Sequence, residues 1–176
     1  AASGETFQFT GSWTWVPSLG ITFTIGVDGI RLLLVMLVTF LMPIVVASSH
    51  HAIGTRRRDF YALLLALEFF MIGAFVARDL FLFYVFWELM VVPMFFIIGI
   101  WGGAPRIYAA TKFFLFTLFG SLPMLAAVLY LYLKLRHLGA TDPSVQVTYA
   151  LDDLALLRLG AKEQWLCFLA FGLSFA

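Results

Sequence analysis

Long apolar runs dominate the pattern of this chain, each ending at a short cluster of polar or charged residues. A helix that crosses the hydrocarbon core of a bilayer needs about twenty apolar residues at a rise of 1.5 Å each. Four segments meet that requirement: roughly Gly26 to Ser49, with Asp28 as its N-cap, Phe60 to Ala77, Leu80 to Trp101, and about Ala110 to Leu133. A fifth run starts near Gln164 and is unfinished at Ala176. The predicted fold class is therefore an all-α integral membrane protein with about four complete transmembrane helices plus part of a fifth. Residues 1–25 read as a polar-aromatic loop, 26–133 as a four-helix transmembrane segment, and 164–176 as the start of a further spanning helix. Residues 134–163 read as an extracytoplasmic connection, with turn residues at Gly139 and "TDPS" and a short amphipathic helix in "ALDDLALLRL".

Composition supports the pattern. The chain is 62% hydrophobic and 12% charged, whereas a soluble domain carries about a quarter charged residues. A net charge of +1, with no basic stripe among aromatics, gives no case for nucleic-acid binding. The single cysteine, Cys167, excludes an internal disulfide or a Cys-based metal cluster made by this chain alone. His50 and His51 are adjacent, so they point to different faces, and no metal site is expected there. No Gly-rich phosphate loop, nucleophile elbow or dinucleotide fingerprint is present, so no cofactor or redox chemistry is expected on the chain itself. The first twenty residues lack the basic start and apolar core of a signal peptide, and the expectation is a piece of a longer chain.

Lys and Arg positions bear on orientation. Arg56, Arg57 and Arg58 lie in the first connection, and Arg106 and Lys112 flank the third, so these five share a side. Arg78, Lys134, Arg136, Arg158 and Lys162 fall on the other. The first five crowd into two short loops, which predicts that the Arg56–Arg58 loop is cytoplasmic.

Two carboxylates interrupt the apolar runs. Arg78-Asp79 joins the second and third helices as an antiparallel hairpin, with Glu68 ten residues before Arg78 and Glu88 ten after it. Both are expected at similar depth, about 15 Å from the turn and near the bilayer midplane. An acidic group there costs a few kcal/mol and survives by pairing, by facing water or by taking up a proton. Desolvation raises its pKa and a nearby cation lowers it, so it suits proton transfer. The competing reading is a protonated Glu acting as static interhelical glue. Pro93 cannot donate to the carbonyl of Leu89, which puts a kink and a freed acceptor within one turn of Glu88. On the fourth helix, Lys112 reads as a water-accessible proton uptake point or as a snorkelling lysine. Thr117 and Ser121, one turn apart, read as polar packing or ordinary hydroxyl contacts.

The segments "DLFLFYVFWELMVVPMFFIIGIWGG" and "RIYAATKFFLFTLFGSLPML" resemble the antiporter-like membrane subunits of NADH-quinone oxidoreductase (respiratory complex I), of the chain M type. That family is related to subunits of cation/proton antiporters. The similarity runs from about Asp28 to Ala176, with Arg31 where a small polar residue is expected. The resemblance implies about fourteen helices in a complete member, with two inverted five-helix repeats carrying proton half-channels. It implies that Glu88 pairs with a lysine on the next-but-one helix, beyond "SFA", and that Lys112 matches a family lysine near the cytoplasmic end of its helix. Glu68 matches a second family glutamate. The expected function is proton translocation in a membrane-arm subunit, coupled to quinone reduction, with flavin and iron–sulfur clusters in partner subunits. The expected partners are neighbouring membrane-arm subunits and the lipid bilayer. The expected location is a bacterial inner membrane. The alternatives are a sodium/proton antiporter subunit and a purely structural membrane subunit.

Overall fold

The computed structural model describes residues 8–16, 21–141, 147, 149–151, 154, 157 and 159–175. Five helices follow a β-hairpin: β1 (Gln8–Val16), β2 (Ile21–Val27), α1 (Gly29–Ala52), α2 (Arg57–Val76), α3 (Leu80–Trp101), α4 (Arg106–Thr141) and α5 (Ala161–Phe175). Helices α1 to α4 are long and apolar enough to cross a membrane. Each helix packs on its neighbour in the chain, α1 on α2 and so on to α5. Much of α1 is exposed apolar surface, including Leu33 and Phe40, as expected of a helix whose solvent is lipid or further protein rather than water.

Caps set the helix starts. Asp28 Oδ1 accepts from Arg31 N at 2.7 Å and starts α1. Asp79 Oδ1 accepts from Phe81 N at 2.9 Å and Leu82 N at 3.1 Å and starts α3. Each satisfies N–H groups that a helix N-terminus leaves without an internal partner. The α2–α3 hairpin closes tightly because Gly73 lies under the Phe86 ring. A Cβ there would meet ring atoms at 2.5 Å.

Three expectations differ from the structure. Residues 8–16 and 21–25, expected within a loop, and Gly26 and Val27, expected to open a helix, form an antiparallel hairpin that pairs Trp13 with Phe23 and Ser12 with Thr24. Aromatic and β-branched residues fit a pleated ladder even when the mixture looks polar. The strand runs to Val27, so α1 begins at Gly29 rather than Gly26. Helix α4 extends well past Ala110 and Leu133 at its two ends, and Gly139, expected in a turn, lies inside it. Its 36 residues span about 54 Å, against a hydrocarbon core of about 30 Å. Half of "ALDDLALLRL", and "TDPS" beyond Thr141, lie outside the described residues.

One end of the bundle is sealed by main-chain bonds. Arg78 N donates to Thr24 O at 2.9 Å, Leu80 N to Tyr149 O at 2.9 Å and Leu151 N to Arg78 O at 3.1 Å. The hairpin, the α2–α3 turn and residues 149–151 thus form one cap. Beneath it Tyr132 of α4 stacks on Tyr149 with centroids 4.2 Å apart, over a core that includes Leu80, Met124 and Val128. Arg31 belongs here too. It pairs with Asp28 at 3.4 Å and donates to Ala77 O at 3.2 Å, tying the start of α1 to the end of α2.

Candidate functional site

The α3–α4 interface holds the buried polar groups nearest the middle of the apolar span. Its register follows from two contacts: a Cβ on Gly99 would lie 3.6 Å from Ala110 Cβ, and the Phe95 and Phe114 rings lie 5.5 Å apart. In an antiparallel pair this register brings Glu88 level with Ser121. Glu88 stands nine residues past the Asp79 cap, or about 14 Å along the axis. Its Oε1 atom is buried and has no hydrogen-bond partner among the described residues.

Tyr84, one turn before Glu88 on the same face, completes the site. It packs against the core that includes Met124 and Val128. Ser121 is 1% exposed, and its Oγ donates to Leu118 O at 2.9 Å. Thr117, one turn away, donates to Phe113 O at 2.8 Å. Pro93 is fully buried in α3, beyond Glu88 on the side away from the cap.

Glu68 and Lys112 stand apart from this cluster. The Gly73–Phe86 contact and the Phe60–Trp101 ring pair, 5.2 Å apart, set the α2–α3 register. That register puts Glu68 about one helical turn, or about 5 Å, farther from the cap than Glu88. Lys112 is exposed, with its ammonium 5.9 Å from the centroid of the Tyr108 ring. It lies nine residues from Ser121, about 14 Å along α4. The register therefore brings Glu88 and Ser121 to one level, with Tyr84 a turn away along α3. Nothing in the apolar run "FLFYVFW" distinguishes that tyrosine except its spacing of four from the glutamate, which was the available signal.

Two further polar sites escaped sequence reasoning. Asp79 is 0% exposed; besides its caps it accepts from Thr22 Oγ1 at 3.4 Å. Burial holds its pKa above the usual carboxylate value, against the pull of hydrogen bonds from Leu82, Phe81 and Thr22. Glu163 at the start of α5 pairs with Lys134 and accepts from Tyr130 Oη at 2.7 Å and Gly160 N at 2.8 Å, joining α4 to α5. Among the described residues no group of three His, Cys, Asp or Glu side chains could hold a metal ion.

Residues 77–175 match the family described as NADH:quinone oxidoreductase/Mrp antiporter, TM. The chain is 46% identical over 174 residues to the NADH-quinone oxidoreductase subunit M of Rhodobacter capsulatus, covering 96% of this chain and 33% of that protein. It is 40% identical over 176 residues to the NADH-ubiquinone oxidoreductase chain 4 of Arabidopsis thaliana, covering 99% and 33%. The chain thus spans about a third of the length of these curated relatives. Among solved structures it is similar to respiratory complex I from Thermus thermophilus with bound NADH, with a TM-score of 0.76 and 34% identity, covering 96% of this chain and 33% of that one. The Mrp complex from Dietzia sp. DQ12-45-1b has a TM-score of 0.77 at 20% identity, covering 94% and 18%, which is a likeness of fold.

Proposed function

Because the chain belongs to the NADH:quinone oxidoreductase/Mrp antiporter transmembrane family, we propose that it forms part of a proton-translocating membrane-arm subunit of NADH-quinone oxidoreductase, with Glu88 as its buried proton-carrying group. The observation that carries this reading is the Oε1 atom of Glu88, buried without a hydrogen-bond partner among the described residues. A carboxylate at this depth costs several kcal/mol unless it is neutralised or paired. Taking up a proton meets that cost, and so does the approach of a cation. Desolvation favours the neutral acid and a nearby cation favours the anion, so moving the cation drives the proton on or off. The lysine that the resemblance implies beyond Ala176 would be that cation.

Redox energy would be released in other subunits, which hold the flavin and iron–sulfur clusters, and reach this chain through its membrane-arm neighbours. Lys112, exposed at the end that carries Arg56–Arg58 and Arg106, would guide proton uptake from the cytoplasmic side of a bacterial inner membrane. Glu68, a turn away from the Glu88 level, would serve as a second buried carboxylate rather than as its direct partner.

The test is Glu88→Gln in the assembled complex, with proton pumping measured beside quinone reduction. Gln keeps the shape and removes the titration, so pumping should fall by more than tenfold. Normal pumping by an intact Gln variant refutes the role. A sodium/proton antiporter subunit would share the fold. The 46% identity to a subunit M, against 20% to the Mrp complex, favours the oxidoreductase. Co-purification with flavin and iron–sulfur subunits separates the two, since sodium-dependent transport without quinone reduction would replace the present reading.

A further inference from the structure

Opposite the sealed cap, the bundle ends in two short turns flanked by cations. Residues 53–56 join α1 to α2, and residues 102–105 join α3 to α4. Trp101 bolts the two turns together: its Nε1 donates to Thr55 O at 2.9 Å, and its ring stands edge-on to Phe60 at 5.2 Å. Arg57 precedes Phe60 by three residues, and Arg106 precedes Ala110 by four. Each arginine therefore lies on the face that its helix turns toward α3. Arg57 Nε donates to Ile53 O at 2.7 Å, and Arg106 Nη1 donates to Ile100 O at 3.0 Å. These bonds satisfy carbonyls at the C-terminal ends of α1 and α3 and leave most of the five donors of each guanidinium for other partners. Both side chains are exposed, and among the described residues neither pairs with a carboxylate.

Next to Arg106, α3 and α4 part to leave a groove of about 210 Å³ lined by Phe95, Phe96, Gly99, Ile100, Ile107 and Ala110. All six are apolar. The groove runs from Ile100 to Phe95, about 8 Å along α3, from the level of the turn toward the middle of the span. Ile107 at its mouth is 73% exposed. Pockets for compact drug-sized ligands measure about 300–1,000 Å³, so this smaller slot suits a stretch of a single hydrocarbon chain. A cation above an apolar slot, where a span leaves the hydrocarbon, fits a ligand with an anionic head and an apolar tail.

We infer that Arg106 and Arg57 bind the phosphate of an anionic phospholipid, one acyl chain of which lies in the groove between α3 and α4. The inference is independent of the reading of Glu88. The planar guanidinium fork matches two phosphate oxygens at once. The phosphate lies over the start of α4, whose first N–H groups lack internal partners and whose positive end adds to the attraction. Charge decides between lipid and protein as the occupant. Arg56, Arg57, Arg58, Arg106 and Lys112 outnumber the one acid of this end, Asp59, which favours an anionic headgroup layer. A helix of a neighbouring subunit, about 10–12 Å across, has no need of those cations. Lys112 is not part of the site, because it lies about 200° round α4 from Ala110.

The experiment uses the full-length subunit in its assembled complex, stripped of native lipid in detergent. Phosphatidylglycerol or phosphatidylcholine is added back, each carrying a photoactivatable diazirine in one acyl chain. Mass spectrometry reads the labelling of peptides covering residues 95–110, with those of α1 as the reference for bulk lipid. Phosphatidylglycerol should label 95–110 at least about fivefold more than phosphatidylcholine, and α1 should show no such preference. Arg106→Gln should lower the preference about fivefold, the worth of one cation at a lipid surface, and Arg57→Gln should lower it in the same direction. Arg136→Gln, the same charge change at the exposed far end of α4, should leave it unchanged. Ile107→Trp, which fills the mouth of the groove and keeps both cations, should cut the labelling by phosphatidylglycerol. Equal labelling by the two lipids, or an Arg136→Gln effect as large as that of Arg106→Gln, reduces the cations to a general surface field and overturns the site. Absence of labelling at 95–110 assigns the groove to a neighbouring helix and overturns it as well. Should Arg106→Gln fail to assemble, Arg57→Gln and Ile107→Trp decide, and unchanged labelling in both refutes the site. None of these measurements reads proton pumping, so their outcome is separate from that of Glu88→Gln.

Discussion

Gly73→Ala is the smallest change that tests how closely α2 and α3 are packed. The added Cβ would sit 2.5 Å from Cδ1 and Cε1 of Phe86 and 2.8 Å from its Cζ. Carbon atoms make ordinary contact at about 3.5–4.0 Å, so the ring or the helix must give by about 1 Å. The ring has little freedom, because Phe86 is 8% exposed and stands edge-on to Phe23 and Phe69 at centroid distances of 6.4 and 6.2 Å. Overpacking of this kind costs about 1–3 kcal/mol. Replacing a mid-helix glycine by alanine returns about 1 kcal/mol of helix propensity. The net expectation is a loss of about 1 kcal/mol, small enough to be ambiguous alone. In a Phe86→Leu background the clash is relieved and only the propensity gain remains, so the same substitution should stabilise by about 0.5–1 kcal/mol. The sign reversal is the prediction. Reversible unfolding of the full-length subunit in mixed micelles, followed by tryptophan fluorescence, measures all four corners of the cycle. Equal effects of Gly73→Ala in both backgrounds, within about 0.5 kcal/mol, would refute the claimed contact.

Other outcomes follow from the cap and the site. Asp79→Ala should cost about 2 kcal/mol, since it removes an N-cap and strands two N–H groups in a buried place, whereas Asp79→Asn should keep the cap. Because burial raises the folded pKa of Asp79 above 3.8, the folded state binds this proton more tightly than the unfolded chain. The resulting stability is present below 3.8 and is lost as pH rises through the raised value. Denaturation midpoints across that window should show the decline in the wild type and not in Asp79→Asn. Tyr149→Leu should cost about 1 kcal/mol beyond its lost area, the worth of the stacked pair with Tyr132, and equal destabilisation by Leu in a Tyr132→Leu background would exclude coupling. Lys112→Met should slow proton uptake at low ionic strength and differ less from wild type at high salt, because an exposed charge is screened; a salt-independent defect would point elsewhere.

Much of the fold can be read from the chain because lipid-spanning helices and their caps are written locally. The bounds of α3 are legible to the residue, since Asp79 supplies a cap at one end and Gly102-Gly103 a break at the other. The ends of α4 are not, because hydropathy marks where a helix leaves lipid and says nothing of where it unwinds. Lys134, Arg136 and His137 continue the same helix in a more polar setting. The hairpin was hidden for a related reason. "GSWTWV" and "ITFTIGV" alternate on a period of two, but only pairing with each other reveals a strand. At the site, Glu88 announces itself as a charge among apolar residues. Tyr84 does not, because all seven residues from Phe81 to Trp87 are aromatic or aliphatic. The similar depth expected of Glu68 and Glu88 came from counting residues to the turn. The packing of Gly73 under Phe86 sets the real register, and no count along one strand of sequence can supply it.

The sealed end of the bundle has a mechanical consequence. Helix α3 is fastened at Asp79 by its cap, by Thr22 and by main-chain bonds to the strands and to Tyr149, and its hydrogen-bond ladder is interrupted at Pro93. It resembles a cantilever, clamped at one end and notched partway along. A displacement of the portion beyond Pro93 would be taken up at the notch, while the first three turns, with Tyr84 and Glu88, would stay registered to the clamp.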